Sequence, residues 1–269
     1  MLLLYCMKVL VKGRAQIMHI QYYKEHSEFL KREMEFKIYG HAGPVCLAFS
    51  CEGGRFYDWE DRGLVNSLGF LIDAGRLRLV CADSIDGESW LAGGEGRARA
   101  EMQERWFCWL TRELVPRVHA LCAMADGEKL LTAGISLGAG HAANLYLRRP
   151  DLFCGALCLS GSYTARGWFG SYADDLTLRN SPADYLRLIS AAQLAAYTGP
   201  FLLCCGQGPY EDRFLAETRA FETSLKAKPL PVSADYWGDD VSHDWPWWQK
   251  QAAVLFPRIL DALEPTTTK

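Results

Sequence analysis

Leu130-Leu131-Thr132-Ala133-Gly134-Ile135-Ser136-Leu137-Gly138-Ala139-Gly140-His141-Ala142-Ala143 reads as a strand, a sharp turn and the start of a helix. The opening residues are a short apolar run of the kind that fills a buried strand. Gly134-Ile135-Ser136-Leu137-Gly138 then fits Gly-x-Ser-x-Gly, and small residues continue at Ala139, Gly140, Ala142 and Ala143. A strand that turns directly into a helix strains the residue at the corner and pushes its side chain out of the sheet. Small neighbours are needed because helix and strand then pass close together. The first N–H groups of such a helix lack intrahelical partners and favour negative charge nearby. Ser136 is therefore the candidate nucleophile, and the N–H of Leu137 is a candidate donor to a developing oxyanion.

On either side of this corner the chain alternates short apolar runs with amphipathic stretches. Pro44–Phe49, Leu77–Ala82, Lys129–Ile135, Cys154–Leu159, Phe201–Cys205 and Val232–Trp237 read as strands. Gly63–Ala74, Arg97–Cys122, Leu137–Arg148, Phe214–Ala227 and Trp247–Leu263 read as helices, with a kink expected at Pro116. Ile17–Tyr23 and Glu33–Tyr39 alternate with period two and read as an N-terminal antiparallel hairpin. The pattern predicts an α/β fold with a mainly parallel central sheet and helices on both faces. In such sheets chemistry sits at the carboxyl ends of the strands. Ser162–Tyr197 breaks the rhythm and reads as a cap or a long loop.

The chain has 269 residues, 49% hydrophobic and 23% charged, with a net charge of −3. That balance excludes disordered, collagen-like and coiled-coil chains, and shows no electrostatic footprint for nucleic acid or an acidic membrane. One domain over residues 18–265 accounts for the whole pattern, and the first 17 residues read as a translated leader or a disordered arm. No apolar run approaches the length of a membrane-spanning helix. There are ten cysteines, with no Cys-x-x-Cys pair and no zinc spacing. Several, including Cys46, Cys158, Cys204 and Cys205, lie inside apolar runs and read as small buried hydrophobes in a reducing, cytoplasmic compartment.

A serine hydroxyl needs a base. Of the six histidines, His243 is the well-placed one, because the loop leaving the last strand returns to the rim where Ser136 is expected. The acid that orients the imidazole should lie between serine and histidine in chain order, after the strand Phe201–Cys205. Glu211 is taken first there, and Asp212 stays open as the alternative. A second oxyanion donor is expected from Ser50-Cys51-Glu52-Gly53-Gly54-Arg55, at Glu52 or Gly53. Substrate contacts are expected from Arg55, Phe56 and Tyr57 on that loop and from Trp168 on the later segment, with Phe169 and Tyr172 beside it. No metal or organic cofactor is required.

The elbow at 134–138, the strand end Leu159-Ser160-Gly161 and the run His243-Asp244-Trp245-Pro246-Trp247-Trp248 together resemble the putative-esterase family of α/β-hydrolases. Its relatives include S-formylglutathione hydrolase (esterase D), feruloyl esterases and mycolyltransferases. The resemblance covers about Lys37 to Leu263. It implies an α/β-hydrolase fold and a serine carboxylic-ester hydrolase with Ser136 as nucleophile and His243 as base, acting on small or aryl esters. An acyltransferase on the same residues and a non-catalytic binding protein of this fold are the alternatives. Two departures stand out. Phe49-Ser50-Cys51 replaces the family's His-Gly pair after the third strand, and the acid sits in a Gly-Pro-Tyr-Glu-Asp context. The partner implied is a small-molecule ester, and a homo-oligomer is left open.

Overall fold

The computed structural model describes residues 7–11 and 14–263, with side chains from Met18 onward. The leader or arm expected over residues 1–17 falls largely outside the described residues. Met7–Val11 (β1) and Arg14–Met18 (β2) form a separate antiparallel pair.

The main sheet has eight strands: Ile20–Ser27 (β3), Arg32–Tyr39 (β4), Val45–Phe49 (β5), Arg78–Ala82 (β6), Leu130–Ile135 (β7), Phe153–Leu159 (β8), Phe201–Cys205 (β9) and Val232–Tyr236 (β10). Their spatial order is β10-β9-β8-β7-β5-β6-β4-β3. Strands β10 through β6 run parallel, and β4 and β3 close the other edge as an antiparallel hairpin. This is the mainly parallel α/β architecture expected from the pattern, and the α/β-hydrolase fold that the resemblance implies.

Helices follow the strands. Asp58–Asp61 (α1), Leu64–Ser67 (α2) and Gly69–Asp73 (α3) link β5 to β6. Gly96–Trp109 (α4) and Val115–Leu121 (α5) precede β7, and Leu137–Arg148 (α6) follows it. Arg166–Phe169 (α7), Asp175–Arg179 (α8), Pro182–Tyr185 (α9) and Ala191–Leu194 (α10) are short turns between β8 and β9. Asp212–Lys226 (α11) and Trp245–Leu263 (α12) complete the set.

The buried strands place alternate residues on opposite faces, as a strand's two-residue period requires. Val45, Leu47 and Phe49 join the core under α4, α5, α6 and α11, whereas Cys46 and Ala48 join the core under α2, α3 and α12. Two expectations needed adjustment. The predicted helix 63–74 is broken between α2 and α3, where Gly69 weakens it. The stretch 97–122 carries a π-helical turn at Leu110–Leu114, two residues before Pro116, in place of a simple kink. Pro116 has no N–H to donate to the preceding turn, which leaves that turn free to widen.

Candidate active site

Register at the carboxyl ends of the strands gathers the site. Phe49 pairs with Gly134 and Ile135 with Leu159, so Ser50, Ser136 and Ser160 all emerge at one rim. The turn at Ser136 is as sharp as the sequence requires, with φ 55° and ψ −123°. A Cβ on Gly134 would stand 2.0 Å from the Gly138 carbonyl oxygen, and one on Gly138 would stand 2.1 Å from that of Ser50. Only hydrogen fits at either position, which is the physical meaning of the two glycines in the motif.

The loop after β10 brings His243 to the same rim. Its backbone N–H donates to the Pro209 carbonyl (3.1 Å), which fixes the loop. Its Nε2 lies 2.9 Å from Ser136 Oγ, and its Nδ1 lies 3.1 Å from Glu211 Oε2. An ionised carboxylate only accepts, so Nδ1 carries the proton and Nε2 faces the serine with a lone pair. The imidazole stacks on Phe214 (centroids 3.8 Å, 12°) and meets the edge of Trp248 (4.8 Å, 88°). Phe214 and Trp248 hold the ring plane.

Glu211 is fully buried at the N-cap of α11. Its carboxylate accepts from Ser160 Oγ (2.6 Å), His243 Nδ1 (3.1 Å), Cys205 Sγ (3.4 Å) and the Gly206 N–H (3.4 Å). Burial pushes this carboxyl up, but the hydrogen bonds from His243 and Ser160 outweigh it and hold it below the ordinary glutamate value. Burial, and then the Glu211 charge, push the Cys205 thiol up, so it stays protonated and able to donate. Asp212 is exposed as the first residue of α11 and has no contact with the imidazole. An acid in a helix's first turn suits the positive end of its dipole.

The other expected residues divide. Leu137 opens α6 directly after Ser136, and Ser162 N–H donates to the Ser136 carbonyl (3.3 Å). The Gly53 N–H donates to Asp86 Oδ2 (3.0 Å), so this residue is not free to serve an oxyanion as expected. Asp86 is itself buried and its other oxygen lies 3.3 Å from His141 Nε2. Arg55 is committed to Asp83 (2.6 Å) and Glu35 (3.2 Å). Phe56 is buried against Tyr22 and Tyr57. These contacts place Arg55, Phe56 and Tyr57 at the β3–β4 edge, and none of them reaches Ser136 or His243.

Trp168 is different. It packs with Trp90, Phe169 and Tyr172 on the same apolar cluster as Leu137. Its Nε1 donates to Ser162 Oγ (3.1 Å), and the Arg213 guanidinium lies 5.0 Å from its ring centre. Sequence reasoning gave no part in the site to Ser160, Cys205, Phe214 or Asp86, although it noted Ser160 at a strand end and Cys205 in an apolar run. For Ser160 a signal existed: it stands at the end of β8, next to the strand that leads into Ser136.

The family described as Putative esterase matches residues 27–260. Among solved structures, the chain is similar to a ferulic acid esterase at 16% identity and TM-score 0.70, covering 91% of this chain and 98% of that one. It is similar to the S-formylglutathione hydrolase of Agrobacterium tumefaciens at 17% identity and TM-score 0.67, covering 96% and 100% of the two chains. It is also similar to that of Staphylococcus aureus at 14% identity and TM-score 0.69, covering 93% and 99%. At such identities the likeness is one of fold. No curated protein matches this chain.

Proposed function

The chain belongs to the Putative esterase family, and on that premise we propose that it is a serine carboxylic-ester hydrolase working through Ser136, His243 and Glu211. The observation that carries this reading is the line Ser136 Oγ–His243–Glu211, with contacts of 2.9 and 3.1 Å. Ser136 Oγ attacks the ester carbonyl while His243 Nε2 takes its proton. Glu211 holds the imidazole in its productive tautomer and balances the charge that forms. The Leu137 N–H meets the oxyanion. With Gly53 spent on Asp86, the second donor is assigned to the Cys51–Glu52 stretch, which follows the strand end packed against Gly138. His243 then protonates the leaving alcohol, and water repeats the sequence on the acyl-enzyme to release the acid. Small or aryl esters fit the Trp168 wall beside Leu137. The described cysteines are all free, in keeping with a reducing, cytoplasmic setting. Among the described residues no helix is long and apolar enough to cross a membrane.

Hydrolysis of a panel of p-nitrophenyl esters by the wild type and Ser136→Ala tests the reading. The wild type should turn over short or aryl esters, and the variant should lose about 10⁴-fold or more in kcat. Equal turnover by the two proteins would remove the assignment.

A further inference from the structure

A second serine is strained at this rim. Non-glycine residues with left-handed backbone among the described residues are Lys31, Ala123, Ser136, Ser160 and Tyr210. Three of the five touch or adjoin the site: the nucleophile itself, Ser160 bonded to Glu211, and Tyr210 preceding it. Ser160 has φ 48°, a conformation that glycine adopts freely and a residue with a Cβ does not. What serine supplies there that glycine lacks is the hydroxyl.

The hydroxyl's proton goes to the carboxylate. Trp248 Nε1 lies 3.2 Å from Ser160 Oγ, and an indole N–H can only donate. Ser160 must therefore accept from Trp248 and give its own proton to Glu211 Oε1, at 2.6 Å. Both groups are almost wholly buried, so water does not compete. The bond occupies Oε1 and leaves Oε2 for His243 Nδ1. Meanwhile the Trp248 ring abuts the imidazole at 4.8 Å. One indole thus touches the base and steers the serine that holds the acid.

We propose that Ser160 is a positioning residue for the reaction, fixing the rotation and ionisation of Glu211 through a hydroxyl oriented by Trp248. The inference rests on the assignment of Ser136, His243 and Glu211 given above. Other titratable groups against Glu211 are His243, from the loop before α12, and the Cys205 thiol, from β9 at 3.4 Å. The thiol is a weak donor and does not replace the hydroxyl.

Ser160→Ala and Ser160→Gly test this together, with rates expressed per active site titrated by a fluorophosphonate. Both variants should lose about ten- to hundred-fold in kcat, the usual weight of a hydrogen bond to a charged group, with KM changed less than about twofold. The acidic limb of the kcat/KM profile should move to higher pH, because the carboxylate loses a donor to its charged form. The glycine variant relieves the backbone strain, so it should melt no lower than the alanine variant and still be as slow. Wild-type kcat and an unmoved profile in either variant would overturn the proposal. So would a loss confined to the number of titratable sites. If Ser136→Ala kept its activity, the site assignment itself would fail instead, so the two failures are distinguishable.

Discussion

Neighbouring carboxylates at 211 and 212 meet opposite fates because one rotation along the chain separates the core from solvent. Glu211 is fully buried and faces the imidazole, whereas Asp212 is exposed on the first turn of α11. Glu211→Gln should therefore lose about 10²- to 10⁴-fold in kcat, since a neutral amide can hold the wrong tautomer of His243. Asp212→Asn should stay within about twofold, a contrast read from steady-state rates of the two variants. Comparable losses in both would contradict the geometry. That Ser136, His243 and a carboxylate near 211 meet at one rim was legible in the chain, because each follows a strand that sequence marks clearly. The choice between 211 and 212 was not, because it depends on the turn at Pro209–Tyr210, whose left-handed residue carries no glycine to announce it. The partner of the Gly53 N–H was hidden for a similar reason. Paired glycines signal a close approach, but here the partner is the Asp86 carboxylate.

Among the elements, the segment between β8 and β9 is held at several points. Arg99 donates to the carbonyls of Ser89 (2.9 Å), Trp90 (2.7 Å) and Trp168 (2.9 Å), tying the loop before α4 to α7. Arg148 grips Glu104 through two bonds of 2.7 and 2.8 Å, and Glu104 in turn accepts from Asn180. Asp174 caps α8 through Thr177 and pairs with Arg97. Partial burial pushes the Asp174 carboxyl up, but the Thr177 N–H, Tyr172 and Arg97 outweigh it and bring it down to about 2. A depressed carboxyl contributes stability above its unfolded value, and that contribution fades as pH falls through the folded one. Asp174→Ala should thus lower stability by about 1–2 kcal/mol near neutrality. The gap to wild type should close between about pH 4 and pH 2, as followed by thermal melts. A gap that persisted unchanged at pH 2 would contradict the cap. Sequence marked this segment only as an interruption of the rhythm. Its helices have four or five residues each, too short for a hydrophobic period to show. The π-helical turn at 110–114 escaped for a different reason: the pattern of buried residues continues across it.

Across the whole molecule, one sheet with a packed layer on each face explains both the stability and the placement of the site. The strands donate alternate residues to the two cores, and helices such as α6 start at the rim where Ser136, His243 and Glu211 meet and run back toward the opposite one. Cysteine takes part as filler. The nine described cysteines are free, and Cys46, Cys81, Cys158, Cys204 and Cys205 are buried. Adding a thiol reductant should therefore leave the melting temperature unchanged, whereas removing a native disulfide typically costs about 2–5 kcal/mol. A drop of several degrees would contradict the reading of these residues. The order of strands and helices was legible because buried parallel strands write themselves as continuous apolar runs. What stayed hidden was tertiary: which residues far apart in the chain share a hydrogen bond, as Ser160 after β8 and Trp248 in α12 do. The account stands on Ser136 Oγ being the atom that bonds to the acyl group. Mass spectrometry of the protein after reaction with a fluorophosphonate, with the adduct mapped by peptide fragmentation, tests that most directly. A single adduct on Ser136, absent from Ser136→Ala, is the expected result; an adduct on another residue, or equal labelling of the variant, would contradict it.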